Sequence, residues 1–316
     1  DLSLADFEPQ QSLEEDASRT VISAIRRTDS LQVRLTTFSN EFSSNESFRR
    51  ALRLDRELLA NLSHSVIPRL VGFGETNGQL FFCTEWADGV PLSDLPAEFT
   101  RRLTVDDVID IGWQLCSALQ QAHNLGATHG GISDDCVLLT PGRRVALLDF
   151  GVRRWIQAGT RPAAESTGAV GLQTEWRDEI RADLISVGRI LSSLLTQIAV
   201  VPGSEQERTS TALKELLQRP GTAGSARTPE SARDFQGQLG ELLLGDHDSI
   251  PLVDQRNPSV TSRRSIVEEL FDEPDDPNQQ KPVDVQPKRR RRTQFLPVFL
   301  LVILGLLLLV LAASQF

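Results

Sequence analysis

The feature that most restricts this chain is an uncharged apolar run near its C-terminus. Residues 295–313, FLPVFLLVILGLLLLVLAA, contain no acidic or basic side chain. A helix rises about 1.5 Å per residue, so a run of this length matches a hydrocarbon core about 30 Å thick. The run therefore predicts one transmembrane helix. A buried core helix is the alternative, but such a helix normally carries polar residues or an amphipathic stripe, which this run lacks.

A basic run, KRRRR at 288–292, lies just before the apolar stretch. Cations beside a span are retained on the cytoplasmic side, so we expect a single-pass membrane protein with residues 1–292 in the cytoplasm. The same run disfavours a cleaved lipid-anchor signal, which needs small residues and a polar spacer. Three residues follow the span, an arrangement typical of a tail anchor unless the chain continues beyond Phe316.

The segment 246–292 is rich in Pro, Asp, Gln and Ser, and its part 246–287 holds ten acidic and four basic residues. Such a composition buries too little apolar surface to order itself, so we interpret it as a disordered acidic linker ending in the basic run. Residues 265–273, SIVEELFDE, interrupt it with apolar residues on one helical face. This island is either a partner-docking helix or an incidental apolar cluster.

Composition excludes several classes of function. The net charge is −10 and the single basic run is short and adjoins the apolar stretch, so nucleic-acid binding is disfavoured. Cys83, Cys116 and Cys136 are odd in number and share no metal-like spacing. A disulfide framework or a zinc site is therefore not expected, and a reducing compartment fits best.

The remaining pattern predicts a two-lobed α+β body. Residues 30–38 and 79–86 are typical of strands, and residues 48–62 between them have helical spacing. A long helix is expected from Thr104, with Asp107 completing its cap and Gly126 ending it. Further helices are expected over 181–198 and 229–244. A small sheet with one helix followed by a helical part is an α+β arrangement.

Several motifs carry a family resemblance. They are RELLANLSHSVIPRLVGFGETNGQLFFCTEWADGVPLSDL at 56–95, HGGISDDCVLL at 129–139, VALLDFG at 145–151 and RADLISVGRILSSLL at 181–195. In this order and spacing they resemble the bacterial-type serine/threonine protein kinase fold. The resemblance covers residues 17–245, with a small lobe at 17–88, a large lobe at 89–245 and a separate segment at 1–16.

The resemblance implies which groups would transfer a phosphoryl group. A kinase uses an Asp to accept the substrate proton, and an Asn and the DFG Asp to hold magnesium. At these positions the chain has Gly131 in place of the catalytic Asp and Cys136 in place of the Asn. Glycine accepts no proton, and a soft thiol is a poor ligand for magnesium. Rescue by the neighbouring Asp134 or Asp135 is disfavoured, because the motif places them on the outer surface of the loop.

The small lobe departs from the family in the same way. The Lys that grips the phosphates falls on Thr36, and the Ala two residues earlier falls on Arg34. Residues two apart share a strand face, so the Arg34 guanidinium should project toward the adenine slot. Its stem could fill the slot, which sterics favour, or its charge could replace the lost Lys. Asp55 falls on the helix position of the Lys-pairing Glu, and we expect it to pair with Arg34 instead.

The glycine-rich loop over the phosphates is absent. With Val21 as the valine after the loop, its glycines map onto Glu14, Asp16 and Arg19, whose side chains should block close approach of the backbone to phosphates. The carboxylates of Glu14, Glu15 and Asp16 should also repel an anion. The resemblance therefore implies only a vestigial nucleotide cleft, with no bound cofactor. Its expected residues are Val21, Arg34, Thr84, Glu85, Ala87 and Asp149.

Some motif residues are kept. Asp149, Phe150 and Gly151 preserve the DFG motif, and Asp183 matches the helix Asp that braces the catalytic turn in the family. We interpret these residues as architectural, with Phe150 in the core and Asp183 accepting hydrogen bonds from backbone amides, because a fold outlives its chemistry. A salt bridge between Glu175 and Arg227 is also expected.

A chain that loses these groups and keeps its packing residues is expected to be a pseudokinase. It would bind a protein partner, an active kinase being one candidate, at the membrane. One alternative is an atypical active serine/threonine kinase or nucleotide switch that uses Asp149 for magnesium and Arg34 for phosphate, with ATP as cofactor. The other is a tether in which residues 265–273 recruit the partner.

Overall fold

The computed structural model describes residues 2–160, 169–218 and 229–243, without the side chains of 169–175. Two lobes follow one another along this part of the chain. The first contains a five-stranded antiparallel sheet in the order β1-β2-β3-β5-β4 and two helices. Its elements are β1 (Phe7–Glu15), β2 (Arg19–Arg26), β3 (Leu31–Phe38), α1 (Asn40–Ser44), α2 (Glu46–Ala60), β4 (Leu70–Thr76) and β5 (Gln79–Glu85).

The second lobe is helical around a small three-stranded sheet in the order β6-β7-β8. Its elements are β6 (Val90–Pro91), α3 (Ala97–Thr100), α4 (Val105–Asn124), β7 (Val137–Thr140), β8 (Arg144–Leu147), α5 (Val152–Thr160), α6 (Ala169–Gln197), α7 (Glu205–Leu217) and α8 (Ala232–Leu243). The two-lobed α+β prediction is confirmed for the described residues.

The ends of α4 show how local sequence sets an element. Thr104 accepts a hydrogen bond from the Asp107 amide, and the Asp107 carboxylate accepts one from the Thr104 amide, which completes a capping box. At the other end Gly126 adopts a φ of +82°, a left-handed conformation that glycine reaches without steric cost. The predicted start and stop of this helix are both confirmed.

The sheet begins earlier than the sequence suggested. Residues 1–16 were expected to precede the folded part, yet β1 pairs along its length with β2. Polar residues dominate β1, which has only its first residue, Phe7, fully buried and therefore lacks the alternating pattern that reveals a strand. The turn after β1 is where the family has its glycine-rich loop.

Alternation along β3 decides which side chains reach the space between the lobes. Val33 and Leu35 pack into a small core on the outer face of the sheet with Phe7, Phe81 and Cys83. The opposite face carries Arg34 and Thr36, as the period of two predicts. This inner face adjoins the large core that runs through both lobes.

Candidate functional site

Asp149 lies at the centre of the space between the lobes, just after β8. It has a φ of +65°, a left-handed conformation that Asp tolerates better than most residues. Its Oδ2 accepts hydrogen bonds from Arg19 Nη1 at 2.9 Å and from Arg34 Nη2 at 3.3 Å. Two guanidinium groups of the small lobe therefore hold the one metal-binding carboxylate that the motif keeps.

Glu14 closes this cluster into a four-residue ionic network. Its Oε1 lies 2.7 Å from Arg19 Nη2, and its Oε2 lies 3.5 Å from Arg34 Nη2. The loop between β1 and β2 is folded by Asp16, whose carboxylate accepts the backbone amides of Ser18 and Arg19. Glu14 and Asp16, two of the acidic residues that we expected to repel an anion, are thus paired with Arg19.

The electrostatics of this network favour the ionised forms of Asp149 and Arg19. Burial raises the pKa of the Asp149 carboxyl, but the positive charges of Arg34 and Arg19 outweigh this effect and hold the pKa below its ordinary value. Burial also lowers the pKa of Arg19, and the carboxylates of Asp149 and Glu14 more than reverse it. The charges of Asp149 and Arg19 thus stabilise each other.

The position of the catalytic carboxylate is covered by another side chain. A Cβ built on Gly131 would lie 2.3 Å from Cδ of Arg153 and 2.8 Å from its Cβ. Real Cβ atoms do not approach so closely, so the stem of Arg153 occupies the space that a larger residue at 131 would need. Arg153 of the large lobe therefore packs directly against Gly131.

The other two substituted positions, Cys136 and Thr36, are buried. Cys136 is 6% exposed, and its Sγ lies 3.1 Å from the carbonyl oxygen of Ser133. Thr36 is 1% exposed, and its hydroxyl has no hydrogen-bond partner among the described residues. The Cys136 thiol is a poor ligand for magnesium, which takes hard oxygen ligands, and the Thr36 hydroxyl carries no positive charge for a phosphate.

These donors do not fit a magnesium ion. The one carboxylate available, Asp149, is already shared by two guanidinium groups, and the position of the second ligand holds a sulfur atom. In the described ranges, no group of three or more His, Cys, Asp or Glu side chains is arranged to hold a metal.

The expected pairing of Asp55 with Arg34 is wrong. Asp55 on α2 binds Arg154 of α5 in an ion pair and accepts a 2.6 Å hydrogen bond from Trp155 Nε1. Arg34 instead faces Glu14 and Asp149. Asp55 binds these residues because α5 begins directly after the DFG motif and packs against α2.

Sequence reasoning missed α5 and its role. Arg154 joins Asp55 of the small lobe to Glu179 of α6, and Trp155 is fully buried among Phe rings. The apolar residues Val152, Trp155 and Ile156 have helical spacing, which is a signal that could have predicted this helix.

The architectural interpretation of Asp183 is confirmed. Its carboxylate accepts the backbone amides of His129 and Gly130, each at 2.9 Å, and lies 3.0 Å from Nε2 of His123. Phe150 is buried and packs on the His129 ring at a centroid distance of 4.8 Å. The turn that contains His129 and Gly130 is thus braced by Asp183.

An open cleft of about 720 Å³ lies beside the segment that joins the lobes. Arg34 and Ala87 line it, together with Trp86, Leu138 and Leu148. The expectation that the Arg34 stem fills the adenine slot is therefore wrong, because the guanidinium turns to Asp149 and leaves space beside it. The residues lining the cleft are Gln11, Leu13, Glu14, Ser23, Gln32, Arg34, Trp86, Ala87, Asp88, Gly89, Pro91, Ser93, Asp94, Asp135, Leu138 and Leu148.

The other expected cleft residues lie elsewhere. Thr84 and Asp149 border a separate pocket of about 30 Å³. Val21 is fully buried opposite Thr36, and the Glu85 carboxylate pairs with Arg69. Only two of the six expected residues thus line the open cleft.

Several predictions fall outside the described residues. They are the linker at 246–292, the island at 265–273, the apolar run at 295–313 and the salt bridge between Glu175 and Arg227. Among the helices that the structure describes, none has the length and apolar character required to span a bilayer.

The two lobes, the DFG motif and the braced turn define a protein-kinase-like domain. The protein kinase domain family matches residues 10–248, and the chain belongs to this family. Serine/threonine-protein kinase PknD of Mycobacterium tuberculosis is 27% identical over 255 residues, covering 73% of this chain and 38% of PknD. Serine/threonine-protein kinase PknE of Mycobacterium bovis is 25% identical over 260 residues, covering 75% of this chain and 45% of PknE.

The chain spans less than half the length of these curated relatives. Among solved structures, the kinase domain of Mycobacterium tuberculosis PknI aligns with a TM-score of 0.57 at 23% identity. The alignment covers 76% of this chain and 97% of that domain. At this level of identity the likeness shows the shared fold.

Proposed function

We propose that this chain is a catalytically inactive kinase-like module, tethered to the cytoplasmic face of a membrane, that binds and regulates a protein partner. The observation that carries the proposal is the pairing of Asp149 with both Arg19 and Arg34. A kinase needs this carboxylate for magnesium, and here two internal cations use it. The module therefore works through its surface.

Binding of Mg²⁺ at Asp149 would require the ionic network to open. A hydrogen bond to a charged group contributes about 1.5–3 kcal/mol, and Asp149 accepts two of them. Arg19 and Arg34 would then each lose their ion pair with Asp149. Without the glycine-rich loop, backbone amides do not surround the phosphates. Contacts with the nucleotide would therefore offset little of the free energy needed to open the network.

Chemistry would fail even if nucleotide entered the cleft. Phosphoryl transfer depends on positioned charges and on a proton acceptor near the attacking hydroxyl. Gly131 supplies no acceptor, and the stem of Arg153 lies over it. Thr36 supplies no cation for the phosphates. These losses support an inactive domain that retains its fold.

A thermal melt tests nucleotide binding directly. The full chain in detergent micelles is heated with and without ATP and Mg²⁺. Ligand at about a hundred times its dissociation constant adds roughly 2.7 kcal/mol to the native state, so binding would raise the melting temperature. We expect no shift. A rise that disappears in Asp149→Asn would favour the nucleotide switch.

A transfer assay tests catalysis separately. Radiolabelled ATP is incubated with the full chain and with a generic acceptor protein, and an active serine/threonine kinase serves as the positive control. We expect no label on either protein above the Asp149→Asn background. Incorporation by the unmodified chain that this variant loses would establish the active-kinase alternative.

The proposed tether rests on the apolar run at 295–313 and the basic run before it. Expression of the full chain and of a chain ending at 292 in bacterial cells, followed by carbonate extraction of membranes, tests it. We expect only the full chain to stay in the pellet, with its folded part digested by protease added to inverted vesicles. Recovery of the full chain in the supernatant would contradict the tether.

Partner binding is proposed to occur through the folded lobes. The competing arrangement is recruitment by residues 265–273, which carry apolar residues and four carboxylates. Pull-downs with the full chain and with a deletion of 262–274 distinguish the two. A specific partner retained by the deletion supports docking on the lobes, whereas its loss supports a tether that recruits through the linker.

A further inference from the structure

The open cleft combines an aromatic side chain with several carboxylates. Trp86 lines it, and the indole is held by a 2.7 Å hydrogen bond from its Nε1 to Oδ1 of Asp88. The acidic residues lining the cleft are Glu14, Asp88, Asp94 and Asp135, and Arg34 is the one basic residue among the lining residues. An indole beside negative charge is a surface that attracts cations.

The positive charge of Arg34 is already balanced. It pairs with Asp149 and with Glu14, while Glu14 also pairs with Arg19. The network is therefore close to neutral by itself, and the carboxylates of Asp88 and Asp135 add negative charge to the cleft. Nearby, burial and the charge of Asp135 raise the pKa of the Asp134 carboxyl, which shows like charges crowded at this rim.

The shape of the cleft restricts its ligand further. A volume of about 720 Å³ is that of a site for a small organic molecule. Leu138 and Leu148 supply apolar surface, and Ala87 leaves room beside Trp86. Arg34, the one basic lining residue, is already paired with Asp149 and Glu14, and the other charged lining residues are carboxylates, which repel a phosphate chain.

We propose that this cleft binds a planar organic cation that carries no phosphate and needs no metal. The inference rests on the proposed function, because it requires the Asp149 network to stay closed. The ring of the ligand lies among Trp86, Leu138 and Leu148, and its positive charge faces the carboxylates of Asp88 and Asp135. Occupancy would connect both lobes in the way that a nucleotide does in an active kinase.

Two fluorescent tricyclic dyes of similar size test the charge preference. Proflavine is a planar cation and fluorescein a planar anion, and the polarisation of each is titrated with the full chain in detergent micelles. We expect saturable binding of proflavine and none of fluorescein. Fluorescein binding as tight as proflavine binding would overturn the proposal, as would the absence of proflavine binding.

Two variants locate the bound dye. Ala87→Trp fills the cleft and should abolish proflavine binding. Asp135→Asn removes one exposed carboxylate and should weaken binding about two- to fivefold, the effect of one solvent-exposed charge pair. Glu98→Gln is the matched control, because Glu98 is an exposed carboxylate that does not line the cleft. Equal proflavine affinity in the unmodified chain, Ala87→Trp and Asp135→Asn would place the dye elsewhere and contradict the site.

ATP with Mg²⁺ is the third probe and separates this inference from the proposed function. Binding and transfer of ATP would refute the inactive module, whatever proflavine does. If neither ATP nor proflavine binds, the inactive module stands and the cation site fails. Binding of proflavine alone supports both.

Discussion

Nε1 of Trp155 donates a 2.6 Å hydrogen bond to Oδ2 of Asp55, and this contact joins the helix after the DFG motif to α2 of the small lobe. Trp155 is fully buried, with Phe38, Phe73 and Phe82 at centroid distances of 5.5–6.2 Å. Asp55 is a helix carboxylate whose family partner, a lysine, is absent. In this structure Asp55 accepts the hydrogen bond from Trp155 and pairs with Arg154, and these contacts connect the small lobe to α5.

Asp55→Ala should lower the free energy of unfolding by about 1.5–3 kcal/mol, because the buried Trp155 indole and the Arg154 guanidinium lose a charged partner. Urea denaturation followed by tryptophan fluorescence measures the change. Glu57→Ala on the same helix is the control, since Glu57 is exposed and should change stability by under about 0.5 kcal/mol. Equal effects of the two substitutions would show that the contact between Asp55 and α5 does not add to the free energy of unfolding.

Gly131→Asp restores the family's catalytic residue and should nevertheless give no phosphoryl transfer. The new side chain must displace Arg153, so the variant should lose about 1–3 kcal/mol of stability, the usual effect of overpacking. Gly237→Asp on α8 is the control, because a Cβ at Gly237 meets no atom within 4 Å. Calorimetry and the radiolabel assay measure the two effects. Transfer activity in Gly131→Asp would show that one residue alone separates this chain from an enzyme.

Asp149 should make stability depend on pH in the acid range. Its pKa in the folded protein is held below its ordinary value of about 3.9. Its contribution is therefore complete above that ordinary value and is lost as the pH falls through the lower folded pKa. Urea midpoints of the unmodified chain should fall more steeply as the pH is lowered below about 4 than those of Asp149→Asn. Parallel curves for the two proteins would contradict an ionised, paired Asp149.

Asp183→Ala should be among the most destabilising substitutions in the large lobe. It leaves the amides of His129 and Gly130 and the His123 ring without their shared acceptor, at about 1–3 kcal/mol for each unsatisfied buried group. Asp183→Asn, which keeps one oxygen, should lose less. Asp178→Ala, at an exposed position of the same helix, is the control. Melting temperatures within a degree of each other for all three variants would refute the bracing role.

Much of the fold was predictable because its signals are local. The cap at Thr104, the stop at Gly126 and the strand-like runs at 30–38 and 79–86 depend on neighbours in sequence. The first strand was missed because its solvent-facing residues are polar and leave no alternation to detect. The helix after Gly151 was not predicted, although its apolar residues have helical spacing. That segment lies between two family motifs and matches neither of them.

The sequence by itself determined which chemical groups are missing, since the identity of Gly131, Cys136 and Thr36 does not depend on the fold. It also determined that Arg34 and Thr36 share one face of a strand, because that follows from the period of two. Tertiary structure alone decided where the remaining charges go. Arg19 and Asp149 are 130 residues apart, and Asp55 and Arg154 are 99 apart, so these pairs exist only once the chain has folded the lobes together. A buried charge binds whichever opposite charge the packing brings within reach, and no rule of sequence spacing specifies that partner.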